Sequence, residues 1–147
     1  MPDYPPVQDL LPQKEAMIFL DKIINHQPGR TSCAARAKRD NPLFDKGSNS
    51  LPFAATLEMM AQCAALHNYL NARDSRKPKI GFVVAVKDFL FEAERIEEGE
   101  RLLITADLVL ELGNYYHFDC ETFYFDSKTT FAKARVKIYC PEDLFHL

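Results

Sequence analysis

The sequence contains no tryptophan, only 5 glycines and only 4 cysteines in 147 residues. So little glycine excludes collagen-like and glycine-rich low-complexity chains. Cys33, Cys63, Cys120 and Cys140 are far apart and form no Cys-x-x-Cys pair, so neither a zinc ribbon nor a dithiol redox motif is available. They read as small apolar residues of a reduced, cytoplasmic protein. No apolar run approaches the roughly 18 residues that span a bilayer. The opening Met1-Pro2-Asp3-Tyr4-Pro5-Pro6 has no basic start and no apolar stretch, which argues against a secretory signal. Positive charge is not in excess either. The chain has 18 basic and 21 acidic residues, or −3 in all, the wrong sign for a general nucleic-acid binder. No Gly-rich phosphate loop, Ser/His/Asp arrangement or metal-ligand spacing occurs, so no cofactor or metal is implied.

What remains is an ordinary folded composition, with 47% hydrophobic and 27% charged residues. The length fits one domain over residues 1–147, large enough to bury roughly 68–70% of its unfolded surface. There is no internal repeat and no linker. A proline-rich arm up to Pro12 precedes the apolar run Met17–Ile24, which reads as a buried strand. After the turn signal Pro28-Gly29, Thr31–Lys38 alternates as a second strand. Thr31, Cys33, Ala35 and Ala37 share one face. Pro52 suits the first position of a helix. From Ala54 to Tyr69, 11 of 16 residues are apolar and surround the whole circumference, the mark of a helix buried on most sides.

Three or four strands follow. Ile80–Phe91 is strongly apolar, and Leu102–Leu112 places Leu102, Ile104, Ala106, Leu108 and Leu110 on one face. Turns are expected at Glu97–Glu100, at Gly113-Asn114 and at Asp126–Lys128. The hairpin Tyr115–Phe125 and Phe131–Tyr139 closes the chain, with Ala132, Ala134, Val136 and Ile138 facing inward. An α+β fold results, in which a curved antiparallel sheet wraps one long buried helix. A doubly wound α/β fold would need helices between the later strands, and none is available.

Within the helix Glu58 and Gln62 are four residues apart and lie on one face. A carboxylate among apolar neighbours is costly unless it is paired, protonated or used. A buried carboxyl can serve as a proton donor near neutral pH. It can equally be a hydrogen-bonded residue that only fixes the fold.

Several segments resemble the 3-hydroxyacyl-acyl carrier protein dehydratases. They include Leu10-Leu11-Pro12-Gln13, the run through Asp21-Lys22, Asn41-Pro42-Leu43-Phe44, and Leu57-Glu58-Met59-Met60-Ala61-Gln62-Cys63-Ala64-Ala65. Lys79-Ile80-Gly81-Phe82, Lys87-Asp88-Phe89 and Glu98-Gly99-Glu100-Arg101-Leu102 extend the likeness over roughly residues 8–141. Within that family the chain is most similar to the dehydratase-like subunits of aryl-polyene synthesis. The resemblance implies a hotdog fold and a 3-hydroxyacyl thioester on an acyl carrier protein or coenzyme A. It also implies a dimer whose site combines a histidine base with a helix-borne acid. Glu58 matches the acid, and Gln62 matches its companion as a substrate-binding residue.

The base does not match. The family's Gly-His-Phe-Pro-Gly-x-Pro segment is represented by the shorter Gly47-Ser48-Asn49-Ser50-Leu51-Pro52, which puts Ser48 where the histidine belongs. Ser48 is retained as a substrate-binding candidate, but serine cannot replace imidazole as a base near pH 7. Four histidines remain. His67, nine residues beyond Glu58, falls on the opposite face of the helix and roughly 13 Å along its axis. His26 is beside a turn, His146 is near the C-terminus, and His117 lies in a strand. Three readings follow. One is a dehydratase-like subunit completed by a histidine-bearing paralogue. The second is a homodimeric thioesterase using Glu58 and water, and the third is a non-catalytic acyl-binding or stabilising subunit. Arg73, Arg76, Lys77 and Lys79 form a basic loop that could receive an acidic carrier protein.

Overall fold

The computed structural model describes residues 3–72 and 81–141. It is built around helix α2 (Ala54–Asn71), with a short helix α1 (Val7–Leu10) in the N-terminal arm. The strands are β1 (Lys22–Gln27), β2 (Arg30–Arg36), β3 (Ser50–Pro52), β4 (Phe82–Phe91), β5 (Arg95–Glu97), β6 (Arg101–Leu112), β7 (Tyr115–Tyr124) and β8 (Thr130–Tyr139). Six of them form one antiparallel sheet in the order β1-β2-β6-β7-β8-β4, and β3 pairs with β5.

The residues of α2 that reach the sheet explain why this helix is central. Met59, Met60, Cys63, Ala64 and Leu66 are fully buried against Cys33, Leu102, Ile104, Phe118 and Val136. Each large side chain enclosed in this way contributes about 1.5–3 kcal/mol. The helix therefore owes its stability to being wrapped rather than to a cap. Its N-cap residue, Phe53, offers no side-chain acceptor to the first turn. The alternation expected on β2 and β8 is observed: Thr31, Cys33, Ala35 and Ala37 are buried, as are Ala132, Ala134, Val136 and Ile138.

Four local expectations are corrected. Only the end of the apolar run at Met17–Ile24 is strand. Glu15–Met17 is one turn of 3-10 helix, and Ile18–Asp21 crosses the molecule as an irregular strap before β1 begins at Lys22. Phe19 and Leu20 are buried by lying over α2, not by sheet pairing. Pro52 ends β3 instead of starting the helix, opposite Arg95. A proline is tolerated at such a strand end.

On β6 the register slips between Leu108 and Leu110, because Val109 is an extra residue. The bulge turns Leu110 onto the outer face beside His117, where it is 47% exposed. Finally, β4 is apolar but largely exposed, because it is the last strand of the sheet. Phe82 and Phe91, within that strongly apolar run, are therefore open to solvent.

Gly81, just before β4, sits where the chain passes close to β8. A Cβ there would lie 2.6 Å from Ile138 Cγ2 and 3.2 Å from Cys140 Sγ. Among the described residues no helix is long and apolar enough to cross a membrane.

Candidate functional site

Glu58 and Gln62 meet as their spacing requires. The Gln62 Nε2 donates to Glu58 Oε1 at 2.9 Å and to the Met17 carbonyl at 2.8 Å. Gln62 Oε1 accepts the Phe19 N–H at 2.9 Å. Gln62 is 0% exposed, so its amide is fully spent inside the protein. It stitches the strap to α2 and holds one carboxyl oxygen of Glu58. Glu58 itself is half-buried. Among the described residues its second oxygen has no protein donor, which leaves it able to meet a ligand.

Ser48 lies elsewhere, in an exposed turn. Its hydroxyl donates to Asp45 Oδ2 at 2.8 Å and lies 2.6 Å from the Ser50 hydroxyl. Asp45 also receives the Gly47 N–H at 3.0 Å. Arg95 from β5 donates to Ser50 Oγ and faces Asp45 at 3.7 Å. The Asp45 carboxyl is held below the usual range, first by the Ser48 hydroxyl and then by the Gly47 N–H, with Arg95 adding a smaller pull. This cluster is hydrogen-bonded to neither Glu58 nor Gln62. Sequence reasoning missed Asp45 and Arg95. The Asp-x-Gly turn signal at Asp45-Lys46-Gly47 was available, but the pairing with Arg95 spans too many residues to be read locally.

The described histidines are occupied elsewhere. His67 is fully buried, with Nδ1 2.8 Å from Thr31 Oγ1 and Nε2 donating to the Pro28 carbonyl at 3.0 Å. Burial, and then the neighbouring His26 ring at 5.1 Å, push its pKa down to about 4. His26 bonds the same threonine at 2.7 Å and Asn71 Oδ1 at 2.9 Å. His117 sits on β7 between the inward-facing Tyr116 and Phe118, so alternation points it away from α2. None of the three meets Glu58 within this chain. His146 and the basic loop Arg73, Arg76, Lys77 and Lys79 lie outside the described residues.

Comparison with known proteins gives this arrangement a family. The model of the ApeP-like family, described as ApeP dehydratase, matches residues 5–147. An uncharacterized thioester dehydrase from Halalkalibacterium halodurans is 24% identical over 138 residues, covering 92% of this chain and 87% of that protein. The 3-hydroxyacyl-[acyl-carrier-protein] dehydratase FabZ of Geotalea uraniireducens is 23% identical over 107 residues, covering 70% of this chain and 73% of its own length.

Among solved structures, the dehydratase heterocomplex ApeI:P from Xenorhabdus doucetiae matches with a TM-score of 0.87 at 22% identity, over 96% of this chain and 94% of that one. Zebrafish thioesterase superfamily member 2 shares the fold at a TM-score of 0.70 and 13% identity, over 92% and 93% of the two chains. The wrapped-helix architecture is thus the hotdog fold, and the Glu58–Gln62 pair stands on its central helix. The chain belongs to the ApeP-like dehydratase family.

Proposed function

We propose that this chain is a catalytically incomplete dehydratase subunit, which supplies the acid of a mixed active site while a histidine-bearing paralogue supplies the base. The observation that carries this reading is the Glu58 carboxyl. Gln62 pins one of its oxygens at 2.9 Å and the other is open, while the histidine position is filled by Ser48. The substrate class is a 3-hydroxyacyl thioester on a carrier protein or coenzyme A.

In the mixed site the partner's imidazole takes the α-proton. The Cα–H electrons form the new Cα–Cβ double bond, and the Cβ–O bond breaks. The Glu58 carboxyl, as general acid, gives a proton to the departing hydroxyl, which leaves as water. First-turn N–H groups of α2 polarise the thioester carbonyl as negative charge develops on it. The role of Gln62 is to orient Glu58. Ser48 commits its proton to Asp45 and takes no part in the proton transfers.

The heterocomplex formed by the similar Xenorhabdus proteins supports a heteromeric assembly. So does the exposed apolar strand β4, a free sheet edge that another chain can extend. The four buried free thiols suit a reducing compartment such as the cytoplasm. The thioesterase reading shares the fold, but no observation at Glu58 favours it over dehydration.

The test mixes the purified chain with a histidine-bearing paralogue and follows dehydration of a 3-hydroxyacyl-carrier protein. The lone chain should be inactive and the mixture active. Glu58→Gln in the mixture should keep the complex and lower turnover about 10²–10⁴-fold. Unchanged turnover by the variant complex would assign all the chemistry to the partner and make this chain a scaffold.

A further inference from the structure

We propose that Phe91 is a positioning residue. Its ring, stacked on Phe53, ties the free edge strand β4 to the first turn of α2 and hence to Glu58. This rests on the mixed-site reading above and adds to it how partner docking reaches the acid.

Phe91 belongs to two places at once. It is 43% exposed on the unpaired edge of the sheet, among the residues an added strand would cover. Its ring also lies 3.9 Å from that of Phe53, nearly parallel at 13°. Phe89 completes the trio, 5.9 Å from Phe53 and 5.8 Å from Phe91. Both β4 phenylalanines reach the same ring because the strand is bulged. Its pairing with β8 slips between Lys87 and Leu90, and Asp88 takes a left-handed φ of 54°.

Phe53 is the N-cap residue of α2, a position usually held by a serine, threonine, aspartate or asparagine side chain. Here the first turn is secured from outside. The Phe53 N–H donates to the Glu94 carbonyl at 2.8 Å, and its ring is held by Phe89 and Phe91. Thr56 then closes on the Phe53 carbonyl through its hydroxyl at 2.7 Å and its N–H at 3.0 Å. Two residues later stands Glu58. The segment after β4 also carries Arg95, which bonds Ser50 beside the Ser48 turn. One stretch of chain thus supports the acid's helix, the loop at the vacant base position and the docking edge. Covering β4 fixes Phe91, Phe91 fixes Phe53, and Phe53 sets where the first-turn N–H groups and the Glu58 carboxyl lie.

The experiment compares Phe91→Ala, Phe91→Tyr and Leu90→Ala in the complex with the histidine-bearing paralogue. Leu90 is 65% exposed on the same edge but pairs with the outward Lys133, so strand alternation sends its side chain to the face opposite Phe91. At saturating partner, Phe91→Ala should lower kcat about 10–100-fold, as expected for a displaced catalytic group, with KM changed by less than about threefold. Phe91→Tyr should restore kcat to within about twofold. Leu90→Ala should alter partner affinity and leave kcat alone. In the isolated chain, amide exchange across residues 54–58 should quicken about tenfold or more in Phe91→Ala and not in Leu90→Ala.

Wild-type kcat or wild-type exchange in Phe91→Ala overturns the coupling, as does Phe91→Tyr behaving like the alanine variant. Glu58→Gln measured alongside separates the two ideas. If it is inactive while Phe91→Ala is normal, the acid assignment stands and the coupling fails. If it is fully active while Phe91→Ala frees the first turn and lowers kcat, the coupling stands and the acid assignment fails.

Discussion

Replacing Gln62 by methionine removes three hydrogen bonds while nearly preserving side-chain length and volume. Their environments differ, and so does the cost of losing each. The Phe19 N–H belongs to the buried part of the strap and bonds Gln62 Oε1 at 2.9 Å. Left without an acceptor it carries the desolvation penalty of an orphaned donor, about 1–3 kcal/mol. The Met17 carbonyl and the Glu58 carboxyl belong to an exposed and a half-buried residue, so water can replace the lost donor at a cost of a few tenths of a kcal/mol each. Methionine's greater apolarity in a fully buried site offsets part of this, by about 0.5–1 kcal/mol.

The net expectation for Gln62→Met is a loss of about 2 kcal/mol. For a chain of this size that lowers Tm by about 4–8 °C. Equilibrium urea unfolding at fixed protein concentration measures it, through a lower midpoint at unchanged slope. Turnover of the mixed complex should fall as well, since Glu58 loses the donor that sets its orientation, with KM little changed. A loss under about 0.5 kcal/mol would show that the strap is not held by Gln62. Normal turnover at reduced stability would show that Glu58 needs no orienting partner.

Two further outcomes follow from packing and charge. His67 is neutral in the fold, with its pKa lowered to about 4 from 6.5. The unfolded chain therefore takes up a proton first, and the stability present above pH 6.5 is lost as pH falls toward 4. Allowing for solvent screening near the Pro28-Gly29 turn, the loss is about 2 kcal/mol. His67→Gln should flatten that part of the pH–stability curve, and an unchanged curve would assign the acid sensitivity to other groups. Gly81→Ala forces a methyl to within 2.6 Å of Ile138 Cγ2. It should cost about 1–3 kcal/mol as overpacking, read as a lower thermal midpoint; an unshifted midpoint would mean that the start of β4 moves aside freely.

The elements with a clean period were legible in the sequence. The alternation Ala132, Ala134, Val136 and Ile138, and that of Thr31, Cys33, Ala35 and Ala37, needed only the two-residue repeat of a strand. The apolar circumference of residues 54–69 announced a helix that must be surrounded, and the four-residue spacing of Glu58 and Gln62 announced their contact. These features depend on neighbours a few residues apart, and local spacing reports such neighbours directly.

What tertiary structure decided lies at long separation or where a period breaks. Gln62 spends its amide on Met17 and Phe19, more than forty residues away, and no local pattern marks that strap as anything but an apolar run. One extra residue, Val109, turns Leu110 outward, because a strand's faces exchange with every single-residue slip. β4 reads as apolar whether it is a central strand or an edge. Only the order of the sheet leaves Phe82 and Phe91 exposed and brings Phe91 over Phe53. Composition and period fixed which residues avoid water; the pairing of distant segments fixed which of them succeed, and which stay exposed on the last strand of the sheet.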